Sequence, residues 1–432
     1  MKHPAYYTVV VFAAFTAASW IMFASAPSPD LRATWIAGHF FSLGMQDQVY
    51  AGNTAYFTML PSQSWQSYLD GIGHDGAAYP FVYPPLWAAV AAWIVPHVPF
   101  EAAKAVAQIA NPLLMVGMVW RASRMVRDSD VSVPMMCLVG AVALLLSLPG
   151  GAALEQNQPQ ILVSFLLVAA IERARAGAPL TAGAALALAA SIKLYPALLV
   201  VAWIAGGRWR ETGAFAVAGV ALGGASVWLA GWPMHAAFLA EIDTIRQSVI
   251  ITYFTYGIDP IIAYWFFPDD LHRVTALGGE GARSYLVLQK PALWTMISSV
   301  ALVTILALTA WWFRTRSRDG EPADVLAWPI LLIALTFVSP LAWGYHYLPA
   351  LAFLPHLLDR FGLRHGLVMI LLAVAPLTLQ ALELALRAPP GANLPVLIGS
   401  FAMLGLAALY AVSIRLRGHQ PERPLHAPPV SL

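Results

Sequence analysis

Apolar runs of roughly 20 residues, almost free of charge, recur along the whole chain, and each is long enough to cross the ~30 Å hydrocarbon core of a bilayer. Few folds survive that constraint. Inside lipid every backbone N–H and C=O must be satisfied within the chain, which leaves helices and closed barrels. Barrel strands alternate in polarity and these runs do not, so the expectation is an all-α polytopic membrane protein. Composition agrees: of 432 residues, 59% are hydrophobic and 11% charged, unlike any soluble globule. Cys137 stands alone and permits no internal disulfide, and a net charge of +2 gives no reason to expect nucleic acid as a partner.

The first run, 5–26, follows Lys2 and ends in Ala24-Ser25-Ala26, which resembles a signal-peptide cleavage site. It is about twice the length of a signal core and reads as a retained anchor with its N-terminus inside. Arginines then gather in short hydrophilic gaps: Arg121, Arg124 and Arg127; Arg173 and Arg175; Arg208 and Arg210; Arg314, Arg316 and Arg318; Arg360 and Arg364; Arg415, Arg417 and Arg423. With Lys2 these are 16 of the 24 basic residues. Placing every such gap in the cytoplasm satisfies the positive-inside rule. Two long segments, 27–83 and 233–290, then become extracytoplasmic loops, and the outward parts hold 11 of the 22 acidic residues. About twelve crossings are expected, with both termini cytoplasmic. Residues 1–417 form one membrane domain, and the proline-rich 418–432 a disordered cytoplasmic tail. Between Gly177 and Arg208 an even number of crossings must fit into about 28 residues. Two short, tilted or re-entrant helices are therefore expected there, with Lys193 at their bend, deep in the membrane. The stretch from Pro84 to Trp120, split by Pro96 and Pro99, has no unique reading.

A few polar residues stand out against this background. Asp30 follows the first run in Pro27-Ser28-Pro29-Asp30, a carboxylate fixed by prolines beside a rigid helix end. It suits a catalytic base, and equally a helix N-cap. The segment after it mixes aromatic and polar residues, as short helices at a membrane interface do. Tyr79 to Leu86, with Tyr83 before two prolines, is a stiff extended re-entry or an aromatic belt. Gln156-Asn157-Gln158-Pro159-Gln160 sets four amides at a helix start, fit for hydroxyl-rich ligands or for capping. Lys193 is the costliest residue in the chain, about 2.5–3.5 kcal/mol near the bilayer centre, and calls for an anionic partner or for snorkelling to an interface. His346 lies between Tyr345 and Tyr347 just past a Ser-Pro break, as a site residue or a packed polar one. No P-loop, Rossmann glycine motif, HExxH or GxSxG occurs. The outward histidines show no metal-ligand spacing, so a metal is neither implied nor excluded, none is assigned to the site, and no cofactor is expected.

In order, Asp30 with Trp35 and Ala37-Gly38, Phe81-Val82-Tyr83-Pro84-Pro85-Leu86, Gln158 with Gln160, Lys193-Leu194-Tyr195-Pro196, Arg208-Trp209-Arg210, and Ser339-Pro340 with Trp343 and His346 resemble glycosyltransferase family 87. These are the polyprenyl-phosphate-mannose-dependent mannosyltransferase-like proteins of the GT-C superfamily. The resemblance runs from about Asp30 to Leu358. Two departures accompany it: Asn157-Gln158-Pro159-Gln160 stands where the family often has Gly-Gln-x-Asn, and Leu31-Arg32 follow an aspartate that an aromatic often follows.

The resemblance implies a GT-C-type bundle with short juxtamembrane helices in its first outward loop. It also implies a hexose, mannose by the family's name, arriving on a polyprenyl phosphate and passing to a lipid or glycan acceptor among the membrane lipids. On this reading Asp30 is the base, Arg32, Lys193 and His346 contact the donor phosphate, and Tyr83, Gln158, Gln160 and Tyr345 line the sugar and acceptor site. The short arginine-rich gaps point to a bacterial inner membrane. The rival class is a transporter or flippase of an anionic lipid-linked sugar, which buried Lys193 and broken helices would also suit. It calls for pseudo-symmetric halves, and none is legible.

Overall fold

The computed structural model describes residues 4–50, 56–74, 78–126, 129–275, 284–318, 324–387 and 393–417. The expected tail, 418–432, lies outside the described residues. The chain starts with α1 (Pro4–Phe23), followed after a short turn by α2 (Pro29–Ser42), and α3 (Gln63–Gly71) completes the helices of segment 27–83. The unresolved stretch around Pro96 becomes a short α4 (Pro85–Ile94), about 15 Å long, and a full-length α5 (Phe100–Ser123). Only α5 of the two is long enough to span. α4 packs on α2, and the approach depends on Gly38, where a Cβ would sit 2.6 Å from the Ala91 Cβ.

Next come α6 (Val133–Leu146), α7 (Leu148–Gln156), α8 (Gln160–Arg175) and α9 (Pro179–Ile192). α8 is the centre of the bundle. Ile161, Val163, Leu166, Leu167, Val168, Ala169, Ala170 and Ile171 are all buried, and together they go round the helix, as only a helix surrounded by others can. The expected short pair is present: α9 ends at Lys193, whose extended backbone breaks the helix, and a 3₁₀ turn leads into α10 (Val200–Ala205).

α11 (Trp209–Arg246) carries helix into the segment that the sequence reads as an extracytoplasmic loop from Pro233. The helix kinks at Gly231 (φ 73°, ψ 158°) and continues to Arg246. Pro233 falls in the first turn after the break, where its missing N–H costs nothing, so it starts a helix instead of ending one. His235 staples the kink through Nδ1 to the Gly231 carbonyl and Nε2 to the Ser226 hydroxyl, both at 2.8 Å.

The all-α expectation is corrected by a small sheet. After α11 the chain forms β1 (Ser248–Ile251), α12 (Ile258–Phe266), β2 (His272–Thr275) and β3 (Ser284–Gln289), and the strands make an antiparallel sheet in the order β1-β3-β2. Ser248 pairs with Gln289 and Thr275 with Ser284. The β-branched and aromatic residues of Ser-Val-Ile-Ile and Ser-Tyr-Leu-Val-Leu-Gln favour pairing, but each run is too short to announce a strand by period.

The rest is helical: α13 (Ala292–Arg318), α14 (Ala327–Phe337), α15 (Leu348–Leu351), α16 (His356–Val374), α17 (Leu379–Leu386) and α18 (Leu394–Arg417). Among the described residues five helices are long and apolar enough to cross a membrane, those of α1, α5, α11, α13 and α18, and five further apolar segments are shorter. The protein is a mostly helical, multi-pass membrane protein. In α11 and α13 only 11% of the most apolar 18-residue window is buried, so both turn their sides to lipid. The arginine clusters meet carboxylates at the far end of α8: Arg121 and Arg173 bind Glu172 at 2.9 and 2.5 Å, and Arg208 binds Glu211 at 2.6 Å. The amides of Gln158 and Gln160 begin the same helix, so the basic clusters and the amide cluster are separated by its length of about 24 Å.

Candidate active site

Ser28, not Asp30, occupies the N-cap of α2, in a left-handed backbone conformation (φ 55°), and its side chain makes no cap bond. Asp30 sits in the helix's first turn and is buried. One carboxylate oxygen lies 3.5 Å from the Tyr83 hydroxyl, and the other has no hydrogen-bond partner among the described residues. The hydroxyl of Tyr83 has a shorter bond to make, donating to Gln158 Oε1 at 2.8 Å. Since a phenol has one proton, Tyr83 offers Asp30 little stabilisation. Burial pushes the Asp30 carboxyl up to about 6, against a smaller downward pull from Lys193 and the hydrogen bonds of Gln158 and Tyr83. A carboxylate kept near the pH of its surroundings, with an oxygen free, can take a proton.

Lys193 faces it across the site. Its extended backbone aims the side chain out of the break between α9 and the 3₁₀ turn, and its Nζ stands 3.0 Å from His346 Nε2. The ammonium also lies 5.2 Å from the ring centre of Tyr345 and 5.7 Å from that of Tyr83, within cation–π range of both. His346 bonds the Leu341 backbone, while burial first and Lys193 second hold its imidazole well below the usual range. A neutral ring with Nδ1–H bonded to a carbonyl leaves Nε2 to accept from Lys193.

These groups line a cavity of about 400 Å³. Asp30, Lys193, Tyr83, Tyr345 and His346 form one polar cluster of its lining, which also carries Arg246 and Lys290. Phe238, Ile242 and Ile245 of α11 and Leu302 of α13 form an apolar wall. Thr295, Ser298 and Ser299 lie on the same face of α13, where Thr295 and Ser299 spend their hydroxyls on their own helix backbone. Tyr79, Phe57 and Trp343 add aromatic surface from the first loop and the turn before His346.

The structure brings together most of the residues expected from sequence. Gln158 stands behind the cavity wall, joining Tyr83 to Tyr345. Gln160 is a layer further back, donating to the Tyr195 hydroxyl at 2.7 Å and to Ser164 at 3.1 Å. Arg32 is not part of the group: its guanidinium lies 3.9 Å over the Phe100 ring, away from the cavity. Asp30 and Arg32 share a helix two residues apart and therefore point to different faces.

Lys290 was missed. It lines the cavity beside the sheet and pairs with Asp259 at 2.6 Å, and Trp294 Nε1 donates to the other carboxylate oxygen at 2.9 Å. Both charges are 1% exposed, so Lys290 is a tied structural cation, unlike Lys193. Lys290→Met strands Asp259 without its partner and is expected to destabilise the protein by about 3–5 kcal/mol. Adding Asp259→Leu should recover most of that loss, as read by thermal unfolding of the purified chain. Nothing in the sequence marked Lys290 out, since its partner lies on another element.

Within a multi-pass helical membrane protein, a buried carboxylate with one unpartnered oxygen thus shares a largely apolar-walled cavity with a lysine. The sequence profile of glycosyltransferase family 87 matches residues 81–340, and the chain belongs to that family. It is a glycosyltransferase. Tyr83, Gln158, Gln160 and Lys193 fall inside the matched span; Asp30, Tyr345 and His346 lie outside it. The chain is also similar to ArnT from Cupriavidus metallidurans, whose crystal structure is bound to undecaprenyl phosphate, at 14% identity over 95% of this chain and 78% of that one. With a TM-score of 0.32 that superposition is too loose to assign any residue. No curated protein matches the sequence.

Proposed function

We propose that the protein is an inverting hexosyltransferase that moves a sugar, mannose by the family resemblance, from a polyprenyl phosphate to a hydroxyl of a lipid or glycan acceptor. The observation that carries this reading is the pairing of an unpartnered Asp30 oxygen with Lys193 in one cavity. The Asp30 carboxylate removes the acceptor's hydroxyl proton as the acceptor oxygen bonds to the anomeric carbon. The bond from that carbon to the phosphate oxygen breaks on the opposite face, its electron pair leaves with the phosphate, and configuration inverts. A phosphate departs without a general acid, so a single carboxylate is enough, and the Lys193 ammonium meets the charge that develops on the leaving oxygen.

The apolar wall between α11 and α13 suits a prenyl chain, and both helices are open to lipid. The basic clusters at the opposite end of α8 support an extracytoplasmic site in a bacterial inner membrane. Arg32 takes no part in phosphate binding on this reading. The test is donor choice in purified protein. Polyprenyl-phosphate-mannose should yield mannosylated acceptor and one polyprenyl phosphate per transfer, with the opposite anomeric configuration. Transfer from a nucleotide-mannose alone would refute the proposal.

A further inference from the structure

Asn157 ends α7 in a left-handed conformation (φ 48°) and reaches the α1–α2 turn. Its Nδ2 donates to the Ser28 hydroxyl at 2.8 Å, and its Oδ1 accepts from Asn111 Nδ2, also at 2.8 Å. Asn111 belongs to α5, one residue before the proline inside that helix. One turn earlier Gln108 donates to the carbonyls of Phe23 and Ala24 at 2.8 and 3.0 Å, tying the end of α1 to the same point. Ser28 is itself held at φ 55°, where a residue other than glycine is strained and stays only if its surroundings hold it. Two residues later comes Asp30. The residue after Asn157 is Gln158, which receives the Tyr83 hydroxyl beside that same carboxylate.

On the reading of Asp30 as base, we infer that Asn157 is a positioning residue. With Gln158 it forms a clamp that fixes the α1–α2 turn on one side of Asp30 and Tyr83 on the other, so that the carboxylate is held at the reacting hydroxyl. An orienting contact of this kind acts on the chemical step: a displacement of about 1 Å costs on the order of 100-fold in rate. It does little to donor affinity, because Lys193 and the apolar wall are on other elements.

The test uses Asn157→Gly and Ser28→Gly in the full-length chain, since glycine accepts the left-handed backbone at both positions and removes only the side-chain contact. Transfer from radiolabelled polyprenyl-phosphate-mannose to native membrane acceptors should fall about 10- to 100-fold in kcat, with the donor KM within about twofold of wild type. The acid limb of the pH profile should move to lower pH, as a loosened Asp30 becomes better hydrated. The double variant should be no slower than Asn157→Gly alone, because the contact that Ser28→Gly removes is already lost there. Wild-type kcat with an unmoved acid limb would overturn the inference, as would a loss explained wholly by less folded protein.

An infrared titration of the Asp30 carboxyl, taken as the difference between wild type and Asp30→Asn, reads the clamp without turnover. It should shift in Asn157→Gly, and an unshifted titration counts against the clamp. If Asp30→Asn transfers as well as wild type, the base assignment fails instead, and the infrared result alone decides the clamp.

Discussion

Replacing Asp30 with asparagine is expected to cut sugar transfer by about 10²- to 10⁴-fold, the range that a positioned general base contributes. Folded protein should not be lost. The buried carboxylate has one oxygen without a hydrogen-bond partner and a long contact from Tyr83, and Lys193 offsets part of the cost of its charge. A neutral amide of the same shape relieves the desolvation of the carboxylate but leaves Lys193 without that offset, so the variant should unfold close to the wild-type temperature. Loss of activity without loss of stability separates a functional carboxylate from a structural one. The pH profile of the wild type follows from the same burial. With the carboxyl raised to about 6, kcat/KM should fall tenfold per pH unit below that value and level off above it. An ordinary, solvated aspartate would instead place the limb about two units lower.

Lys193→Met is the second large effect. Methionine keeps the length and fills the space between the Tyr83 and Tyr345 rings, but offers no charge to the leaving phosphate. A loss of roughly 10²- to 10³-fold in kcat/KM is expected, comparable to removal of one donor from an oxyanion site. A second consequence is specific to this geometry. Lys193 pulls the Asp30 carboxyl downward, so its removal should move the acid limb to higher pH. Lys193→Arg should restore the position of the limb and part of the rate. A lysine that merely snorkels to an interface would produce neither the rate loss nor the moving limb, and kinetics across pH 5 to 8 distinguish the two.

The residues that could be read from sequence were those whose cost or rigidity is local. Lys193 was conspicuous because a charge in a long apolar stretch is expensive wherever it ends up, although its meeting with His346 and Asp30 depends on the break after Ile192. Asp30 was marked by its prolines. Family membership carried Tyr83 and Gln158, whose mutual bond spans 75 residues of sequence and has no local signature. Arg32 stands apart from Asp30 because both lie in the first turn of α2, two residues apart and so on different faces, and its guanidinium packs over Phe100.

His346, expected at the phosphate, lines the same cavity as Lys193 and stands 3.0 Å from its ammonium. The kink at Gly231 was hidden because Pro233 looks the same whether it ends one helix or opens the next. The three-stranded sheet was hidden because four- and six-residue runs carry too few periods to separate strand from loop. Helix number and length follow from hydropathy; which helices leave a gap, and what lines it, follows from packing between distant segments.

The most direct test of the central claim places the purified protein in vesicles with polyprenyl-phosphate-[³H]mannose and extracted membrane lipids and glycans, and follows both transfer of label and movement of the donor between leaflets. The expected result is labelled acceptor from wild type, almost none from Asp30→Asn, and donor movement no faster than in empty vesicles. Donor that moves between leaflets at equal rates in both proteins, with no acceptor labelled from mannose, glucose or pentose donors, would contradict the account and make the protein a carrier of the lipid-linked sugar.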